Sequence, residues 1–166
     1  HGRTCFSVLI GLAHHGRYVM GVMDFPALGE RWIGADGHGA RHNGNPVTTR
    51  PCAALEDAVA GMVGPEPDDE DDTPVLAWSR SRTRWQIFGL EAMAHGLVAS
   101  GSLDLAVDGE LDPTDIAAIE PIVRNAGGRL TDLQGNPVGT SYQGRIASAG
   151  DPKLHDALIA ALEAAS

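Results

Sequence analysis

The chain has 166 residues, 43% hydrophobic and 20% charged, with a formal net charge of −10. Length and apolar content are those of one folded domain with a real core. The acidic balance excludes a nucleic-acid surface, which needs a Lys/Arg footprint, and no apolar run approaches the roughly 20 residues of a membrane span.

In chain order, residues 6–12 are a short apolar run that predicts a strand, and His14-His15-Gly16-Arg17 predicts a turn. Residues 18–25 are the return strand and residues 31–35 a third, so the opening stretch reads as an antiparallel meander; Asn43-Gly44 adds a turn. Leu55 to Val63 is compatible with a short helix or a strand edge. Two prolines and a run of acids at 65–72 predict a solvated loop. Leu90, Met93, Ala94, Leu97 and Val98 repeat at helical spacing, with Gly101 as the stop. Leu103 to Val107 predicts a strand. Asp112 then suits an N-cap, Pro113 the first helical position, and Asp115 the first turn, where the macrodipole favours a carboxylate. Ile116, Ile119, Ile122, Val123 and Ala126 make the buried stripe of that helix, Pro121 a kink within it, and Gly127-Gly128 its end. Leu130-Thr131-Asp132-Leu133 and 145–149 read as late strands, with Asp132 structural, and Asp151-Pro152 opens a last helix. The order predicts a mixed α/β (α+β) fold in three stretches: a meander over 1–54, a connecting segment over 55–84 with the acidic loop 65–72, and an α/β layer over 85–166.

Chemistry concentrates in Leu103 to Asp115. A strand ending near Asp108 and a helix starting near Asp112 would put Asp108 and Asp115 beside one crevice, at a positively polarised helix end. Hard carboxylate oxygens there suit Mg²⁺, although capping alone also accounts for Asp112 and Asp115. His38 and His42 are four apart, but the glycines around them argue against a helical zinc pair. Cys5 and Cys52, distant and without a secretory pattern, predict free thiols and a cytoplasmic setting.

Three segments together resemble the inositol monophosphatase superfamily: Gly29-Glu30-Arg31-Trp32 with Gly37-His38-Gly39-Ala40 and Asn43-Gly44; Gly89 to Gly101 followed by Asp104; and Asp112-Pro113-Thr114-Asp115-Ile116-Ala117 through Ala126-Gly127-Gly128 to Thr131-Asp132 and Gly135. Leu28-Gly29-Glu30-Arg31-Trp32 and the mid-helix Pro121 lean towards its histidinol-phosphate phosphatase branch. The resemblance implies a layered α-β-α-β-α sugar-phosphatase fold, of which this is the C-terminal two-thirds. It implies a homodimeric phosphomonoesterase using two or three Mg²⁺ ions on a small phosphorylated alcohol, most simply histidinol phosphate or an inositol phosphate. Asp115 falls on the metal-ligating Asp, Asp108 on the acid that contacts substrate hydroxyls, and Glu91 near the acid that histidinol phosphatases turn to the substrate. Thr114 stands where the family has Trp or Tyr, and Asp112 where it often has Lys or His. The family's Asp-x-x-Asp-Gly-Thr motif and upstream Glu are absent and would lie before His1, which predicts an inactive fragment. The other reading is a non-catalytic binding or assembly module of the same fold.

Overall fold

The computed structural model describes residues 2, 4–65 and 72–164. Five strands, β1 (Val8–His14), β2 (Arg17–Phe25), β3 (Glu30–Ala35), β4 (Gly39–His42) and β5 (Asn45–Val47), form one antiparallel sheet in sequence order. The predicted meander is therefore present. His15 and Gly16, both at positive φ, make the first turn, and Asn43 and Gly44 the last. A bulge opposite Leu12 and Ala13 places one extra residue, Val19, in β2. It shifts the alternation, so Tyr18 is buried on the same face as Gly21, Met23 and Phe25.

A 3₁₀ turn at Leu55–Asp57 leads to β6 (Val59–Met62), followed by α1 (Asp72–Arg82), β7 (Trp85–Phe88), α2 (Ala92–Ala99), β8 (Leu105–Leu111), α3 (Pro113–Asn125), β9 (Arg129–Asp132), β10 (Gly144–Ala149) and α4 (Pro152–Glu163). The second sheet has the order β7-β6-β8-β10-β9. The stretch from Leu55 to Val63, read as a short helix or a strand edge, holds both the 3₁₀ turn and β6, which pairs parallel with β7 and β8 and is therefore an interior strand. Of the acidic loop, residues 66–71 lie outside the described residues, and Asp72 opens α1.

Helices α2 and α3 lie between the sheets, and α1 and α4 cover the far face of the second. The described residues thus build four layers, β-α-β-α, of the five expected. Ile116, Ile119, Ile122 and Val123 of α3 are buried with Met23, Phe25 and Trp32 of the first sheet. At about 25 cal/mol per Å² of apolar area, this interface is a main source of stability. On the opposite face of that sheet Phe6, Val8, Ile10, Leu12 and Met20 are exposed.

Small residues set how closely α3 approaches. Gly11, Gly21 and Gly34 are register partners across β1, β2 and β3. A Cβ on Gly21 would sit 2.0 Å from the Ala118 carbonyl oxygen, and one on Gly34 2.4 Å from the Ile122 Cα. The helix backbone rests directly on the strands, which a side chain at either position would prevent. α3 runs unbroken through Pro121, and the Asn125 side-chain amide donates to the Pro121 carbonyl (2.8 Å).

Candidate active site

The carboxyl ends of parallel β6, β7 and β8 define one edge of the second sheet, where open α/β sheets carry their ligands. Asp115 belongs to this edge because β8 runs directly into α3. Asp112 is the N-cap and Pro113 the first helical residue, as their types dictate. One Asp115 oxygen, Oδ2, accepts from the Asp112 amide at 3.2 Å, so the residue contributes to the cap. Its side chain is half-buried. The Tyr18 hydroxyl donates to the Pro113 carbonyl (3.1 Å) and lies 3.3 Å from that of Gly139, pinning the start of α3 to the first sheet.

Asp108 sits differently from expectation. β8 does not stop there but continues to Leu111, paired with β10. The parallel ladder with β6 does stop, at Val107, so Asp108 is the first residue beyond it. Alternation along β8 sends Leu105 and Val107 towards α1 and α4, and Ala106 and Asp108 towards α2. Asp108 is only 7% exposed; Oδ1 accepts from the Gly109 amide at 2.9 Å, and Oδ2 is buried.

Glu91 is the exposed N-cap residue of α2, just past the end of β7. Its backbone has φ 50° and ψ −135°, a region costing a non-glycine residue about 1–3 kcal/mol. Gly89 before it is held by its amide on the Val63 carbonyl (2.8 Å), so the Gly89–Glu91 corner is fixed to the end of β6. Backbone strain of this kind is characteristic of binding corners. All three candidate acids therefore lie at the carboxyl edge, but among the described residues no group of three His, Cys, Asp or Glu side chains stands close enough to hold a metal.

Two further acids near the sheet, Asp132 and Asp104, are spent structurally. Asp132 accepts from the amides of Gln134 and Asn136 and from the Asn136 side chain, closing the turn after β9. Asp104 takes both arms of Arg50 at 2.6 Å and the Val59 amide at 2.8 Å. Burial raises its pKa, but the Arg50 and Val59 hydrogen bonds overcome that and hold it below the usual carboxylate range. This pair lines an open cleft of about 500 Å³ with Cys52, Asp57, Arg84 and Trp85. The cleft lies at the amino ends of β6, β7 and β8, away from the candidate acids.

The resemblance-bearing segment around Trp32 is architectural. Trp32 is buried, stacks on His42 at 4.1 Å and donates from Nε1 to Ser100 at 2.7 Å. Gly96 leaves room for its ring: a Cβ there would be 2.8 Å from it. His42 bonds to Glu30, so it is committed to this cluster. Sequence reading passed over His95, which lies in an apolar helix yet places its ring between Ser148 and Asp108. A lone histidine on a helix otherwise built of apolar and small residues was its one signal. Cys5 and Cys52 are free, as expected.

The profile described as the inositol monophosphatase family matches residues 1–166. The chain is 32% identical over 171 residues to the Arabidopsis thaliana "Bifunctional phosphatase IMPL2, chloroplastic", covering 98% of this chain and 49% of that protein. It is 36% identical over 139 residues to a histidinol-phosphatase of Chlorobaculum parvum, covering 81% and 52%. Among solved structures, an inositol monophosphatase from Zymomonas mobilis superposes with a TM-score of 0.91 at 33% identity, over 98% of this chain and 64% of that one. The chain thus spans about half the length of these two curated relatives.

Proposed function

The chain belongs to the inositol monophosphatase family, and on that premise we propose that it forms part of a Mg²⁺-dependent phosphomonoesterase acting on a small phosphorylated alcohol, histidinol phosphate first and an inositol phosphate second. The observation that carries this reading is Asp115 in the first turn of α3, half-buried at the carboxyl edge of the parallel strands. A hard, anionic oxygen at a helix start fits a magnesium ligand. One such arm does not make a site: Mg²⁺ takes six oxygen ligands, and the described residues assemble no group of three metal-ligating side chains around Asp115. In the complete protein the remaining ligands would come from elsewhere, and bound metal would supply charge neutralisation and an activated water.

The chain's own residues do the rest. Asp115 would hold a metal through its other oxygen, while its Oδ2 keeps the helix start closed. Glu91, exposed on a strained corner, faces the alcohol portion and would pair with the ammonium of histidinol. Asp108 backs that side from the sheet. Relatives named histidinol-phosphatase support the substrate order. A cytoplasmic homodimer is part of the same reading.

That the described residues form no group of three metal-ligating side chains favours one rival, a non-catalytic assembly module. Asp115→Asn in the full-length gene product separates them. A ligand role predicts an intact fold, turnover down by at least about a hundredfold and weaker apparent Mg²⁺ affinity. A capping role alone predicts a loss of about 1 kcal/mol of stability with wild-type turnover. Asp132→Asn is the control; it should lower stability and leave the magnesium dependence unchanged.

A further inference from the structure

His95 is fully buried, and each of its ring nitrogens faces a polar partner. Nδ1 lies 2.8 Å from the Ser148 hydroxyl. Nε2 lies 3.5 Å from Asp108 Oδ2, and these two atoms are buried with no hydrogen-bond partner. Leaving a donor and an acceptor unsatisfied in the interior is costly, and here each is the other's nearest remedy. A shift of a few tenths of an ångström closes the gap into a charge-assisted bond. The chemistry also assigns the tautomer. A carboxylate oxygen can only accept, so Nε2 carries the proton; neutral Nδ1 then accepts from the Ser148 hydroxyl.

The three residues come from three elements that independently face the same layer. Ser148 on β10 pairs with Ala106 on β8, two residues before Asp108 on the same face, and α2 lays His95 across both. We propose that Ser148, His95 and Asp108 form a buried hydrogen-bond relay that fixes the Asp108 carboxylate with Oδ2 inward and Oδ1, already braced by the Gly109 amide, directed to the substrate side. His95 is thereby a positioning residue for alcohol recognition. This rests on the reading of Asp108 as a substrate-side acid, and it accounts for why that acid is nearly buried.

The test uses the full-length gene product. Long-range ¹H–¹⁵N correlation of the histidine rings should show His95 as the Nε2–H tautomer, and Ser148→Ala should shift its Nδ1 resonance. A His95 ring protonated on Nδ1 alone overturns the relay. In kinetics, His95→Leu should raise KM for histidinol phosphate or inositol phosphate about tenfold, leave kcat within about twofold, and leave KM for p-nitrophenyl phosphate unchanged. His95→Gln, which keeps a donor, should recover most of that loss. Equal effects on both kinds of ester, or no rescue by Gln, would mean a structural role only and reject the proposal. If His95→Leu does not fold, the tautomer and Ser148→Ala decide alone. A protein that hydrolyses none of these esters defeats the phosphatase reading, while the tautomer still judges the relay.

Discussion

At the scale of single residues, the second sheet buries charge-capable groups that must be kept in one protonation state. His155 on α4 is 1% exposed, with Nε2 3.0 Å from the Thr131 hydroxyl. Burial first, and the nearby Arg129 charge second, push its pKa below the ordinary 6.5. The folded protein therefore holds it neutral, while the unfolded chain takes up a proton once pH falls below about 6.5. Its contribution to stability is complete above that value and is lost as pH falls towards the lowered folded value. Asp104 and Asp36, both lowered below the usual 3.8, act in a separate and more acidic window. For Asp36 the Arg124 hydrogen bond is the leading cause. The melting temperature of the wild type should begin to fall as pH drops below about 6.5. In His155→Gln that part of the decline should be absent while the decline below about pH 4 persists. An unchanged profile just below about pH 6.5 in the variant would show that His155 does not titrate on unfolding.

At the scale of elements, α3 carries most of the organisation. Its N-terminus holds Asp115, its apolar stripe fills the core, and Arg124 near its C-terminus binds Glu120, Asp36 and the Tyr18 carbonyl at 2.6–2.9 Å. The helix can do this only because strands β1 to β3 offer glycine beneath it. The atoms that a Cβ on Gly21 would strike are backbone, which cannot rotate away. Gly21→Ala should therefore cost about 3 kcal/mol, or roughly 6–12 °C in melting temperature for a chain of this size. Gly139→Ala, where a Cβ meets nothing within 4 Å, should be within about 0.5 kcal/mol of wild type. Comparable melting temperatures for the two variants would mean that α3 can lift from the sheet without loss.

At the scale of the whole molecule, the four described layers leave Phe6, Val8, Ile10 and Leu12 on an uncovered sheet face, each 49–59% exposed. At the carboxyl edge of the second sheet the described residues likewise present acids without a full metal-binding set. Both observations concern a chain that spans 49% and 52% of two curated relatives. On the proposed reading, these 166 residues purified alone should not hydrolyse histidinol phosphate or inositol phosphate at any Mg²⁺ concentration, whereas the full-length gene product should. Equal specific activity of the two would sink the assignment of a single metal arm to this chain.

Local rules carried the sequence a long way. Alternation and Asn-Gly turn chemistry determined the meander, and the Asp112-Pro113 start with its 3.6-residue stripe determined α3. The family-like run from Asp112 to Gly135 pointed to Asp115. These features are encoded within a few residues of one another, so periodicity and capping reveal them. What only the tertiary structure decided depends on partners distant in sequence. β6 became an interior strand because β7 and β8 flank it. β8 continued past Asp108 because β10 pairs with it to Leu111. Gly21 and Gly34 acquired their purpose from a helix some 90 residues away. Asp108 faces α2 because alternation along β8 puts it on that side, and there it meets the ring of His95, 3.5 Å from its Oδ2. Side-chain orientation and the satisfaction of buried polar atoms are properties of packed surfaces, and no local pattern in the chain encodes them.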